Sequence, residues 1–272
     1  MPNEADATDS RPIAVLPEDY FRRMYEAEDR HWWHQGMRCI TEALLGECLN
    51  RPRQRVLDAG CGTGGFLRWL TRQMSLRSAS GVDISPEAID LARRRVPEVD
   101  LRVAPLRKLP FGGSSFDLVV LNDVLQHVYE EELDESLAEI RRVLNQQGRL
   151  FVRTNGGRRA RRERPDWRVY DRITLTSTLE RAGFRCERIT YANVLASLWA
   201  AARKHSPRAP TENLHGIPTP ASRIRNEFAY RLLRTEALYL RRPGRTLPFG
   251  HSLFAVASPV RQVRSSRAFA GA

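Results

Sequence analysis

The chain has 272 residues, 42% of them hydrophobic, which suits one large α/β domain with additions and is too short for two independent ones. That composition excludes a disordered chain, and 44 Lys and Arg against 32 Asp and Glu, a formal charge of +12, favours an anionic partner without naming it. The four cysteines, Cys39, Cys48, Cys61 and Cys186, form neither a CxxC pair nor a zinc spacing, so a reducing, cytoplasmic setting is expected.

In chain order, residues 1–18 read as a disordered polar tail whose start carries no apolar signal-peptide core. Residues 19–50 form a predicted helical cap with an aromatic cluster, Tyr20, Phe21, Tyr25, Trp32 and Trp33. Residues 51–191 then alternate short apolar strands with amphipathic helices. Strands are expected at Arg55–Ala59, Ala79–Asp83, Leu101–Val103, Asp117–Asn122, Arg149–Thr154 and Phe184–Tyr191. Helices are expected at Phe66–Met74, after the Ser85 cap with Pro86 in first position, at Glu131–Leu144 with Gly148 as the stop, and at Leu175–Ala182. Residues 192–248 read as a helical insertion with two helical patterns around Pro207, Pro210, Pro218 and Pro220. Residues 249–260 hold the last core strand, and 261–272 a tail. Alternation of this kind implies right-handed βαβ units. The predicted fold is a doubly wound, mostly parallel seven-stranded α/β sheet, which the last strand is expected to close as an antiparallel neighbour of the sixth. The uncharged runs Ile189–Ala202 and Thr246–Val260 fall short of the ~20 apolar residues of a spanning helix, while a peripheral membrane contact stays open.

The most informative stretch is Val56-Leu57-Asp58-Ala59-Gly60-Cys61-Gly62-Thr63-Gly64, an apolar strand running into a glycine turn and a helix. Glycines there let the backbone approach a ligand and adopt angles other residues avoid. Two details separate it from a dinucleotide fingerprint: the spacing is GxGxG, and acidic Asp58 stands two positions before the first glycine. The second strand ends in Gly81-Val82-Asp83-Ile84-Ser85, where the Asp83 carboxylate can accept hydrogen bonds from both hydroxyls of a ribose.

These motifs resemble those of the class I, Rossmann-like methyltransferases that use S-adenosylmethionine. VLDAGCGTG is similar to their first motif and GVDIS to the second. Leu109–Phe111 (LPF) resembles the segment after the third strand, FDLVVLNDVLQHV at Phe116–Val128 the fourth motif, and GRLFVRT the fifth. The resemblance implies S-adenosyl-L-methionine as cofactor. It assigns Asp58, Gly60, Gly62 and Gly64 to the methionine and ribose side, Asp83 to the ribose hydroxyls, and Asn122 to the floor beside the sulfonium. Cys61, Ile84 and Leu106 are carried over as further cofactor-binding positions. One departure is Pro105, where many relatives place an acid for the adenine amine, so adenine recognition falls to backbone groups or another side chain.

The segment DRHWWHQGMR resembles a helical lead-in that covers the cofactor, with Arg38 a candidate for the methionine carboxylate; equally, Trp32 and Trp33 read as packing anchors. His31 and His34 have no acidic or cysteine companions at metal-ligand spacing, so no metal is expected. His127, just past the fourth strand, is the candidate general base, with a place in the pocket wall as the alternative.

Ligands of such sheets bind at the carboxyl ends of the parallel strands. That geometry brings the loop 155–168, with six arginines against two acids, and the 192–248 insertion to the mouth as a lid; a solvated arginine loop is the plain alternative. The expected partner is a small-molecule acceptor of anionic or bulky kind, methylated at a hydroxyl of a sugar-like, glycolipid or natural-product intermediate. An RNA methyltransferase is the rival reading. Against it, Asn122-Asp123-Val124-Leu125 lacks the Pro-Pro-aromatic of base amino methylators, and no appended RNA-binding module is visible. A third reading keeps the fold but gives it a non-methylating role.

Overall fold

The structure, a computed structural model, describes residues 19–49, 51–156, 168–194, 198 and 222–260. Two helices open the described chain, α1 (Tyr20–Ala27) and α2 (Trp32–Leu49). The core follows as β1 (Arg55–Ala59), α3 (Gly65–Gln73), β2 (Ser78–Asp83), α4 (Pro86–Arg95), β3 (Asp100–Val103) and β4 (Phe116–Asn122). After a 3₁₀ turn at Leu125–His127 come α5 (Glu130–Val143), β5 (Leu144–Asn155), α6 (Arg172–Arg181), β6 (Phe184–Ala192), α7 (Arg223–Leu240) and β7 (Ser252–Pro259).

Local signals account for the helix starts. Ser85 accepts from the Ala88 amide at 3.2 Å, Pro86 sits in the first turn, Glu87 follows it, and Arg93–Arg95 close the last turn against the helix dipole. Asp171 and Thr174 form a reciprocal capping box on α6.

The seven strands lie in the order β3-β2-β1-β4-β5-β7-β6, with β1 to β5 parallel and β7 antiparallel to both β5 and β6. The last strand is therefore antiparallel beside the sixth, as expected. It does not close the sheet, however; it slots between β5 and β6 and leaves β6 at the edge. Every residue of β7 from Ser252 to Ser258 is buried, as an interior strand requires.

Two further expectations shift. The strand expected at Arg149 begins at Leu144, directly after α5, and Gly148 lies inside it. The register jumps from Phe116–Leu144 to Leu118–Arg149, so residues 145–148 bulge past Asp117. A side chain at Gly148 would stand 2.9 Å from the Asp117 carbonyl, so the glycine serves close approach and not helix termination. The N-terminal cap is two helices, and of the insertion's two helical patterns α7 is described, while 195–197 and 199–221 lie outside the described residues.

α7 is not suspended over the strand ends as a lid. Leu233, Ala237 and Leu240 are buried with Met37, Ile40 and Leu45 of α2 and with Val120, Phe151 and Phe254 of the sheet. The two helices touch so closely that a β-carbon on Gly36 would run into the Leu233 side chain. The opposite face packs Val119, Leu121, Leu150 and Val152 against α5 and α6 through Leu137, Ile140, Leu175 and Leu179. With both faces covered, the carboxyl edge of β1, β2 and β4 is left for a ligand.

Candidate active site

β1 delivers its chain into a turn where Gly60, Gly62 and Gly64 all have positive φ (86°, 52° and 78°). At Gly60 a side chain would also collide with Val124, so both conformation and space demand glycine. The Gly60 and Cys61 amides donate to the Val82 carbonyl at 2.7 and 2.9 Å, tying the turn to the end of β2. Asp83 then accepts from the Gly62 amide through one oxygen and the Ser85 amide through the other, both at 2.9 Å. Burial pushes the Asp83 pKa up, and these amide bonds hold it back. Each oxygen keeps a lone pair for a further donor.

Asp58, at the end of β1, is 1% exposed, and its Oδ1 has no hydrogen-bond partner. Burial first, and the neighbouring Glu28 carboxylate second, push its pKa well above the ordinary carboxylate range, with Arg153 opposing. Asn122 ends β4 with both side-chain atoms buried and unsatisfied. Buried polar groups are normally paired, so unsatisfied atoms on adjacent strand ends mark a cradle for a polar ligand. Cys61 is buried in the turn, with its thiol pKa well above the usual range through burial. Ile84 is exposed just past Asp83, and Leu106 is half-buried against the core beyond β3. His127 is half-buried in the 3₁₀ turn, its amide bonded to the Val124 carbonyl at 2.8 Å.

Arg38 reaches the glycine turn from α2, donating to the Gly65 carbonyl at 2.9 Å, with Asp29 at 3.9 Å. α1 lies on the same turn: a β-carbon at Gly62 would stand 2.8 Å from Met24 Cε. Its anchor is Glu28, which pairs with Arg95 of α4 and accepts from the Thr63 hydroxyl. Burial raises the Glu28 pKa, while Arg95 and Thr63 work against the rise. Arg95 also donates to the Tyr25 carbonyl and lies 4.0 Å from that ring.

Several groups around the turn carry no assignment to the site from sequence, among them Glu28, Tyr20, His34 and Arg153. Glu28 is an ordinary acid in a charged stretch and gives no signal. Tyr20 was read only as part of an aromatic cluster; its phenol is pushed up to about 12 by burial and by Asp123, Glu28 and Asp83. His34 is half-buried with its Nε2 atom enclosed and unpartnered, and burial, Arg153 and Arg38 hold its pKa well below the usual value. Arg153 did carry a signal, as a cation within an apolar strand. It pairs with Asp123 at 2.7 Å and lies 5.0 Å from the Trp33 ring, fastening α2 over β5. The arginines 158–164 lie outside the described residues.

A methyltransferase domain model matches residues 57–152, the span holding the turn, Asp83, Asn122 and His127. The malonyl-[acyl-carrier protein] O-methyltransferase of Halorhodospira halophila is 30% identical, over 85% of this chain and 83% of that protein. The chain belongs to the class I S-adenosylmethionine-dependent methyltransferases. The phthiotriol/phenolphthiotriol dimycocerosates methyltransferase of Mycobacterium leprae is 36% identical, but the match covers only 38% of each protein. The Streptomyces coelicolor geranyl diphosphate C-methyltransferase, solved with S-adenosyl-L-homocysteine, shares the methyltransferase fold at a TM-score of 0.56 and 16% identity, over 91% of this chain and 84% of that one. S-adenosylmethionine is thus the cofactor of this methyltransferase. The unsatisfied Asp58 and Asn122 atoms and the spare Asp83 lone pairs suit its cationic, hydroxyl-rich shape.

Proposed function

We propose that the protein methylates a hydroxyl of a small-molecule acceptor, of sugar-like, glycolipid or natural-product kind. The observation that carries the reading is the set of unsatisfied polar atoms on Asp58 and Asn122 beside the anchored carboxylate of Asp83. When bound, S-adenosylmethionine supplies a methyl group already activated on a sulfonium. Asp83 would accept from the ribose hydroxyls, and Asp58 would complement positive charge on the methionine side. The bare backbone of Gly60, Cys61, Gly62 and Gly64 would allow close approach. Arg38 would face the methionine carboxylate, Ile84 and Leu106 the adenine, and Asn122 the floor.

For the chemical step, alignment of acceptor oxygen, methyl and sulfur can contribute roughly 7–11 kcal/mol without any covalent help. His127 would accept the hydroxyl proton as the carbon–oxygen bond forms. Transfer to oxygen is favoured by a relative that matches 85% of this chain, an O-methyltransferase by name. A lipid-linked acceptor is favoured by the dimycocerosates methyltransferase. An anionic acceptor would draw on the arginines of 158–164.

The test is transfer of isotope-labelled methyl from S-adenosylmethionine to a panel of hydroxylated, amine and carbon acceptors. Label in an acid- and base-stable ether of a hydroxylated acceptor supports the reading. Label only on nitrogen or carbon, or only in RNA, contradicts it.

A further inference from the structure

Among the described residues no helix or strand packs over the outward face of α7, and its composition is unusual. Ile224, Phe228, Leu238 and Tyr239 are 83%, 62%, 56% and 41% exposed. Their spacing along the helix puts them on one stripe, opposite the buried Leu233, Ala237 and Leu240. Six exposed arginines frame the stripe, Arg223, Arg225, Arg231, Arg234, Arg241 and Arg242. Two carboxylates oppose them: Glu227 pairs with Arg231 at 2.7 Å and Glu42 with Arg241 at 3.2 Å. Both pairs are exposed and hold their arginines weakly.

Large apolar side chains left in water inside a basic frame mark a contact surface. We infer that this face of α7 docks the protein on an anionic membrane surface. The apolar stripe would sink into the headgroup region while the arginines meet lipid phosphates. Charge complementarity chooses among occupants. A second copy would set one arginine row against another. A nucleic acid would pair with the arginines but leave Ile224 and Leu238 unburied. Among the described residues no helix is long and apolar enough to cross a membrane.

The placement also relates the surface to the catalytic edge. α2 and α7 run side by side, Trp32 donating its amide to Asn226 at 2.9 Å near one end and Glu42 meeting Arg241 at the other. Ile224 and Phe228 therefore lie at the end of the helix layer that carries Trp33, His34 and Arg38 toward the glycine turn. A bilayer on this face would lie beside the pocket edge.

The test is co-sedimentation of the full chain with phosphatidylcholine vesicles, with and without phosphatidylglycerol. Binding should require the anionic lipid, and added salt should release it. The exposed double variants Ile224→Ser/Phe228→Ser and Arg223→Gln/Arg234→Gln should each bind at least about tenfold more weakly. S-adenosylmethionine affinity unchanged in both variants would show that they fold, and the readout does not depend on the acceptor. Absence of binding to anionic vesicles overturns the inference, as does equal binding to neutral ones or unchanged binding by both variants. A wild-type dimer in sedimentation that Ile224→Ser/Phe228→Ser dissolves overturns it in favour of self-association.

Discussion

At the glycine turn, Asp83 is held by two backbone amides, and the turn itself hangs on the Val82 carbonyl. On the helical layer the fastenings run through side chains across long stretches of sequence: Glu28 to Arg95 and Thr63, Arg153 to Asp123, Asn226 to the Trp32 amide. The first region is tied through backbone amides of the turn and of the end of β2, and presents a fixed polar cradle. The second depends on particular side-chain pairs, and it reaches the first directly through Glu28 to Thr63 and Arg38 to the Gly65 carbonyl. The cradle is thus set by backbone geometry, and the layer against it by the identity of a few side chains.

The largest effect should fall on turnover. If His127 takes the acceptor proton, His127→Ala should lower kcat about 10²–10⁴-fold with cofactor affinity nearly intact. A rate within a fewfold of wild type would move His127 to the pocket wall and leave alignment as the source of the rate. Gly60→Ala should follow. It combines a positive φ, costing roughly 1–3 kcal/mol, with overpacking against Val124, costing roughly as much again. Urea denaturation should show that loss, and an unchanged midpoint would mean the turn is softer than its bonds imply.

A smaller effect concerns pH. In the ligand-free protein Asp58 has a raised pKa through burial, so its contribution to stability is full at low pH and is lost as pH rises through the folded value. A cationic ligand favours the ionised form. Cofactor affinity should therefore climb with pH from the ordinary carboxylate range up to that raised value, by at most about one log unit per pH unit, and level off above it. Asp58→Asn should flatten the slope, as titration calorimetry at several pH values would show. A slope unchanged by the substitution would place the proton elsewhere.

The same contrast decides how much was legible in the sequence. Strand–turn–helix spacing, acids at strand ends and the Ser85-Pro86 start are local signals, and the cofactor side of the fold could be read from them. β7 could be read as a strand, but its slot between β5 and β6 depends on which edges remain for pairing, which no local pattern encodes. Gly148 looked like a helix stop because a bulge and a stop both call for glycine; only the pairing of Phe116 with Leu144 separates them. The Glu28–Arg95 pair joins residues 67 apart through a charge that in sequence resembles any surface acid. α7 was expected over the mouth, yet its buried stripe matches α2 and the sheet, and burial of that stripe sets its position.

The central claim is that the strand ends of β1, β2 and β4 bind S-adenosylmethionine through Asp83. Calorimetric titration of wild type and Asp83→Ala with the cofactor tests it directly. Loss of charge-assisted hydrogen bonds worth roughly 1.5–3 kcal/mol predicts affinity about ten- to hundredfold weaker in the variant, with its fold intact by circular dichroism. Equal affinity in the two proteins would contradict the account.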